Sequence, residues 1–142
     1  MGKYYDRNPN IMDMGIDDVM SYMRILQSNS ETMQPEVISA ISQTIEILVY
    51  VGKNLNFKKN NDVELRNSFI SGLFKISNAN INETINYMNA LLEDSGVMTY
   101  EIRSAIDHSI VVLRYIEENS DLRKYDSVSE IDKFIDGLYK VI

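Results

Sequence analysis

The stretch PEVISAISQTIEILVYV, residues 35–51, carries apolar side chains on two adjacent faces of a helix. Val37, Ile41, Ile45 and Leu48 form one stripe. Ala40, Ile47 and Val51 form a second, about 100° around the axis. A helix apolar on two sides is packed against on both, so this segment predicts the central helix of its unit. Residues 100–116, YEIRSAIDHSIVVLRYI, repeat both stripes through Ile102, Ile106, Ile110, Leu113 and through Ala105, Val112, Ile116.

The recurrence extends well beyond this helix. Ile16 to Ile76 aligns with Ile81 to Val141 at a constant offset of 65 residues without a gap. Tyr22-Met23 returns as Tyr87-Met88, Ser39-Ala40-Ile41 as Ser104-Ala105-Ile106, Phe69-Ile70 as Phe134-Ile135, and Gly72-Leu73 as Gly137-Leu138. A match spread over the whole unit reads as an internal duplication.

Each unit reads as three helices. Ile16, Val19, Met23 and Leu26 mark the first at helical spacing, with Ile81, Ile85, Met88 and Leu91-Leu92 as counterparts. The central helix opens on Pro35, whose missing N–H is harmless at the first position, and Glu36 complements the positive end of the dipole. Thr99 is the expected N-cap of its counterpart, and Glu101 sits where Glu36 does. Asn54 and Asn119 follow as residues tolerant of a left-handed C-terminal conformation. The third helix carries Val63, Arg66, Phe69-Ile70, Leu73 and Ile76, matched by Val128, Ile131, Phe134-Ile135, Leu138 and Val141. Gly72 and Gly137 lie inside these helices, where Gly costs about 1 kcal/mol relative to Ala, so a second backbone is expected to approach there.

These readings predict an all-α protein: a tail over residues 1–15, a three-helix repeat over 16–80 and a second, acidic repeat over 81–142. The short linker Ser77-Asn78-Ala79-Asn80 predicts that the repeats pack together. Two copies close face to face into one six-helix globule with pseudo-two-fold symmetry, or form a short HEAT-like stack. A swap of equivalent units between chains, and hence a homodimer, stays open.

Composition narrows the function classes. The 142 residues include no cysteine, which excludes disulfides, thiolate catalysis and Cys-based zinc sites. No apolar run is long enough to cross a bilayer, and Met1 to Arg7 lacks the apolar stretch of a secretory signal, so a cytosolic protein away from the membrane is expected. The net charge of −7 argues against a general nucleic-acid binder. Its distribution is uneven. Residues 16–76 carry 6 basic and 7 acidic groups, whereas residues 81–141 carry 6 basic and 12 acidic groups. The units therefore share a core pattern and differ in surface charge.

Candidates for chemistry are few. His108 is the sole histidine and reads as a partly solvated residue on the polar margin of its helix. With Glu101 and Asp107 it forms the least poor catalytic grouping, but no nucleophile accompanies it. Glu36 and Glu101 form a matched acidic position that the helix dipole already explains. Lys58-Lys59 and Arg123-Lys124 are matched dibasic pairs before the third helices, with Lys53 and Arg66 extending the first into a basic patch for phosphate or an acidic surface. Tyr22/Tyr87 and Tyr50/Tyr115 read as rim residues of the core, and the methionines as gap-filling core. Glycine-rich phosphate loops, nucleophile elbows and metal-binding His motifs are absent from the sequence, so no cofactor and no metal is expected.

The stretch Leu91-Leu92-Glu93-Asp94-Ser95 through Glu101-Ile102-Arg103-Ser104-Ala105-Ile106 resembles a family of small uncharacterised archaeal helical proteins, in which an acidic helix end and a short loop precede an Ile-Arg-x-Ala helix. The likeness covers one helix–loop–helix per repeat and implies a helical fold alone. Val37-Ile38-Ser39 lacks the arginine, and the family's proline-rich second half is missing.

The expected function is that of a non-enzymatic helical interaction module, an adaptor, complex subunit or inhibitor. Its acidic residues Glu117, Glu118 and Asp121 would face a basic protein partner, and the dibasic pairs would supply further contacts. One alternative is a nucleic-acid-associated helical repeat using Lys58, Lys59, Arg123 and Lys124. Another is a viral Bcl-2-like helical bundle, against which the gapless duplication speaks.

Overall fold

The computed structural model describes residues 15–29, 33–54, 63–77, 81–93, 99–122 and 128–142. Among them are six helices and no strand: α1 (Ile16–Ser28), α2 (Pro35–Asn54), α3 (Val63–Ser77), α4 (Ile81–Glu93), α5 (Tyr100–Glu118) and α6 (Val128–Val141). The starts of α4, α5 and α6 each fall 65 residues after those of α1, α2 and α3.

Local signals set these starts. Pro35 is the first residue of α2, and Glu36 lies in its first turn. Thr99 caps α5, its hydroxyl accepting a hydrogen bond from the Ile102 N–H at 3.2 Å. Asn119 ends α5 at φ −107°, outside the left-handed region. Its amide instead donates to the Tyr115 carbonyl at 2.8 Å, and Asn54 does the same to Tyr50 at 2.9 Å. These side chains bond carbonyls of the last helical turn, and at Asn119 the left-handed expectation gives way to a side-chain cap.

The helices α1 and α4 are 13 residues each, too short to persist alone in water. Their stability comes from the faces they bury: Val19, Met23 and Leu26 on α1, and Ile81, Ile85 and Met88 on α4. Each fully buried aliphatic or methionine side chain contributes about 1.5–3 kcal/mol.

The packing is that of a closed globule. The helix α1 lies on α2 and also on α5, while α4 lies on α5 and also on α2. In turn α3 packs on α2, α6 packs on α5, and α3 and α6 meet. Since α2 and α5 also touch, they form a central layer with α1 and α4 on one side and the α3–α6 pair on the other. A HEAT-like stack would also set α1 beside α4, whereas here each of them lies mainly on α2 and α5. Ile41, Ile47, Leu48 and Val51 from α2 and Ala105, Ile106, Val112 and Leu113 from α5 are all fully buried, as two-sided packing requires.

Within the central helices, Thr44 and Ser109 occupy matched positions and are both fully buried. Each donates its hydroxyl to the carbonyl four residues back, Ala40 and Ala105, at 2.8 Å. A buried hydroxyl is thereby satisfied without a partner from another helix.

Gly72 and Gly137 have a cause that differs from the expected backbone approach. The hydroxyl of Tyr50 occupies the place of a Gly72 Cβ, and that of Tyr115 the place of a Gly137 Cβ. From there Tyr50 donates to the Phe69 carbonyl at 3.0 Å and Tyr115 to the Phe134 carbonyl at 2.8 Å. The rings stack on Phe69 and Phe134 at 5.5 and 5.2 Å between centroids. These tyrosines are therefore inter-helix latches, each seated in a notch that only glycine leaves open; Tyr50 stays half-buried at the rim of the core, whereas Tyr115 is buried.

Candidate protein-interaction surface

The acidic residues at the end of α5 stand out against the helix that carries them. Glu117 is half-buried, Glu118 and Asp121 are exposed, and no basic residue lies in the last turn. Negative charge at a helix C-terminus opposes the macrodipole at about 0.3–1 kcal/mol per group, so helix stability does not account for them. At the matched positions of the first half stand Gly52 and Lys53 in place of Glu117 and Glu118.

The chain beyond α5 holds these groups in place. The Asn119 and Ser120 N–H groups donate to the carbonyls of Ile116 and Glu117, and the Leu122 N–H donates to Asn119. Leu122 is buried, which anchors the turn in the core. The result is a hollow of about 240 Å³ lined by Glu118, Asn119, Asp121, Leu122 and Glu130, the last from the first turn of α6. Three carboxylates over a buried leucine suit a cationic side chain. Below the 300–1,000 Å³ typical of small-molecule sites, the hollow fits a side chain better than a nucleotide.

The dibasic pairs Lys58-Lys59 and Arg123-Lys124 lie outside the described residues, as do the tail up to residue 14, linker residues 78–80, and Met12, Met14 and Met98. Lys53 is exposed at the end of α2. Arg66 does not extend a basic patch. It is 9% exposed, and its Nε lies 2.9 Å from Asp132 Oδ1 across the α3–α6 contact. The N–H is not aimed at that oxygen, which makes the contact an ion pair rather than a directed hydrogen bond.

His108 also differs from its expected place. It is 3% exposed rather than partly solvated, and it sits on α5 among buried Ser104, Ala105 and Val112. Glu101 and Asp107 are half-buried on the same helix. Glu101 and His108 are seven residues apart, about 10 Å along the axis, which does not converge them on one reacting atom. Among the described residues, no group of three or more His, Asp or Glu is arranged to hold a metal ion.

A second hollow, of about 160 Å³, opens between α2 and α4 and is lined by Glu36, Ser39, Gln43, Glu83, Thr84 and Tyr87 among others. At its base Thr84 donates its hydroxyl to the Gln43 side-chain carbonyl, and the Gln43 amide donates to the Ile76 carbonyl at 3.3 Å. On the matched α1–α5 side, Ser104 and His108 are buried where Ser39 is exposed and Gln43 half-exposed.

The chain matches no family model, no curated protein and no solved structure. No helix among the described residues is long and apolar enough to cross a membrane.

Proposed function

We propose that the protein is a duplicated three-helix unit working as a non-enzymatic interaction module, and that the acidic end of α5 receives a basic segment of a protein partner. The observation that carries this reading is the placement of Glu117, Glu118 and Asp121 where they disfavour their own helix, beside a carboxylate-lined hollow with a buried leucine floor. Charge that disfavours its own helix and has no counterpart in the matched half supports a role in binding a basic partner. The reading places the protein in the cytosol as an adaptor, complex subunit or inhibitor.

The test is retention of protein partners from nuclease-treated native lysate by the wild type and by a Glu117→Lys/Glu118→Lys/Asp121→Lys variant. A stoichiometric protein held by the wild type and lost by the variant supports the reading. A partner held equally by both excludes this surface, and partners that vanish with nuclease transfer the role to the dibasic pairs.

A further inference from the structure

The polar contacts of this molecule divide by whether they repeat. Three repeat at the 65-residue spacing: Tyr50 and Tyr115 on carbonyls of the third helices, Thr44 and Ser109 on their own helices, and Asn54 and Asn119 at the helix ends. Every one of these joins residues of the same half. Two polar side-chain pairs, Arg66 with Asp132 and Thr84 with Gln43, reach from one half to the other. Neither repeats. The positions matching Arg66 and Asp132 hold Ile131 and Asn67, and those matching Thr84 and Gln43 hold Val19 and His108.

We infer that the surface between the halves is heterotypic: the first half (α1–α3) recognises the second (α4–α6) and rejects a copy of itself, so a second molecule of this chain joins only by reciprocal exchange of halves. The argument follows from superposing one half on the other. If two first halves met as the two halves do here, Arg66 would face Asn67 and its buried charge would lose its carboxylate. Removing one member of a buried pair is costly because the other stays behind uncompensated. Gln43 would face Val19, leaving the side-chain carbonyl that now accepts from Thr84 without that donor. If two second halves met, Asp132 would face Ile131. Complementary polar groups at matched positions thus favour unlike pairing and penalise like pairing, the logic by which natural interfaces choose partners. The connection permits exchange, since α3 ends at Ser77 and α4 begins at Ile81, and short connections between packed units favour it.

The test uses full-length chains carrying Arg66→Asp or Asp132→Arg. Each alone sets like charges against each other across α3 and α6. Refolded together in equal amounts, they can exchange halves, so that one lobe pairs Asp at 66 with Arg at 132 and the other keeps the original Arg66 and Asp132. The expected result is a 1:1 dimer, seen by light scattering and native mass spectrometry, that neither variant forms when refolded alone. The doubly reversed single chain should refold as a monomer and recover most of the stability that each single variant loses. A variant unable to fold alone keeps the experiment intact, because complementation then appears as folded dimer recovered only from the mixture. Equal dimer in the separately refolded samples would show like-half pairing and overturn the inference. So would a mixture that behaves as the sum of its components.

Discussion

The Tyr115 hydroxyl rests on Gly137, with its Cζ 2.6 Å from where a Cβ on that glycine would stand. The same relation holds between Tyr50 and Gly72, where the corresponding separation is 2.8 Å. In each case the third helix is fastened to the central one by a hydroxyl that a methyl group would displace.

Gly137→Ala should therefore destabilise the protein although alanine is the better helix former. Overpacking costs about 1–3 kcal/mol, against about 1 kcal/mol of propensity gained. Gly72→Ala should cost less, because Tyr50 is half-buried and can swing outward while Tyr115 is buried. Urea denaturation of both variants checks the order, and adding Tyr115→Phe to Gly137→Ala should recover part of the loss.

The alkaline limb of stability should depend on Tyr50. Burial pushes its hydroxyl above the usual tyrosine value of 10.0, and the protonated form donates to the Phe69 carbonyl. A folded-state pKa raised above the unfolded one gives stability that is complete below the unfolded value and lost as pH rises through the folded value. Stability measured from pH 8 to pH 11 should thus fall above about pH 10, and Tyr50→Phe should make that fall shallower. An identical slope in the variant would place the alkaline sensitivity elsewhere.

Removing Asp132 should cost more than removing Arg66. Asp132→Ala leaves the buried guanidinium without its carboxylate, whereas Arg66→Met fills the same space and leaves an aspartate whose side chain is 46% exposed to water. Solvent reaching Asp132 discounts both effects, so the difference is on the order of 1 kcal/mol. Thermal melts of the two variants in one buffer decide the order.

Thr99→Ala should lower stability by about 1 kcal/mol through loss of the cap on α5. Thr99→Ser or Thr99→Asp should keep most of it, which separates a capping role from one in packing.

Much of this architecture is legible in the sequence because it is written in periodicity. Two apolar stripes on residues 35–51 and 100–116 predict central helices, and α2 and α5 are those helices. Pro35 and Thr99 mark the helix starts by local chemistry that needs no tertiary context. What periodicity omits is which helix meets which. Tyr50 and Gly72 are each visible as matched positions, but their contact depends on how α3 lies across α2. Residue type and spacing disagree at Arg66 and His108. Arg66 lies on the stripe of Phe69, Ile70 and Leu73, and His108 on that of Ala105 and Val112, so their spacing signals burial although their residue types suggest solvent. Charge asymmetry in the sequence singles out Glu117, Glu118 and Asp121, while the hollow beside them also takes Glu130, a residue of another helix.

The most direct measurement is the affinity of the retained partner for the wild type and for Glu117→Lys/Glu118→Lys/Asp121→Lys, followed from low to high salt. Exposed charges contribute about 0.5 kcal/mol each, so reversing three should weaken binding at least about tenfold at low ionic strength. The two affinities should then converge as salt screens the surface. Equal affinities at low salt would contradict the assignment of this acidic end as the binding surface.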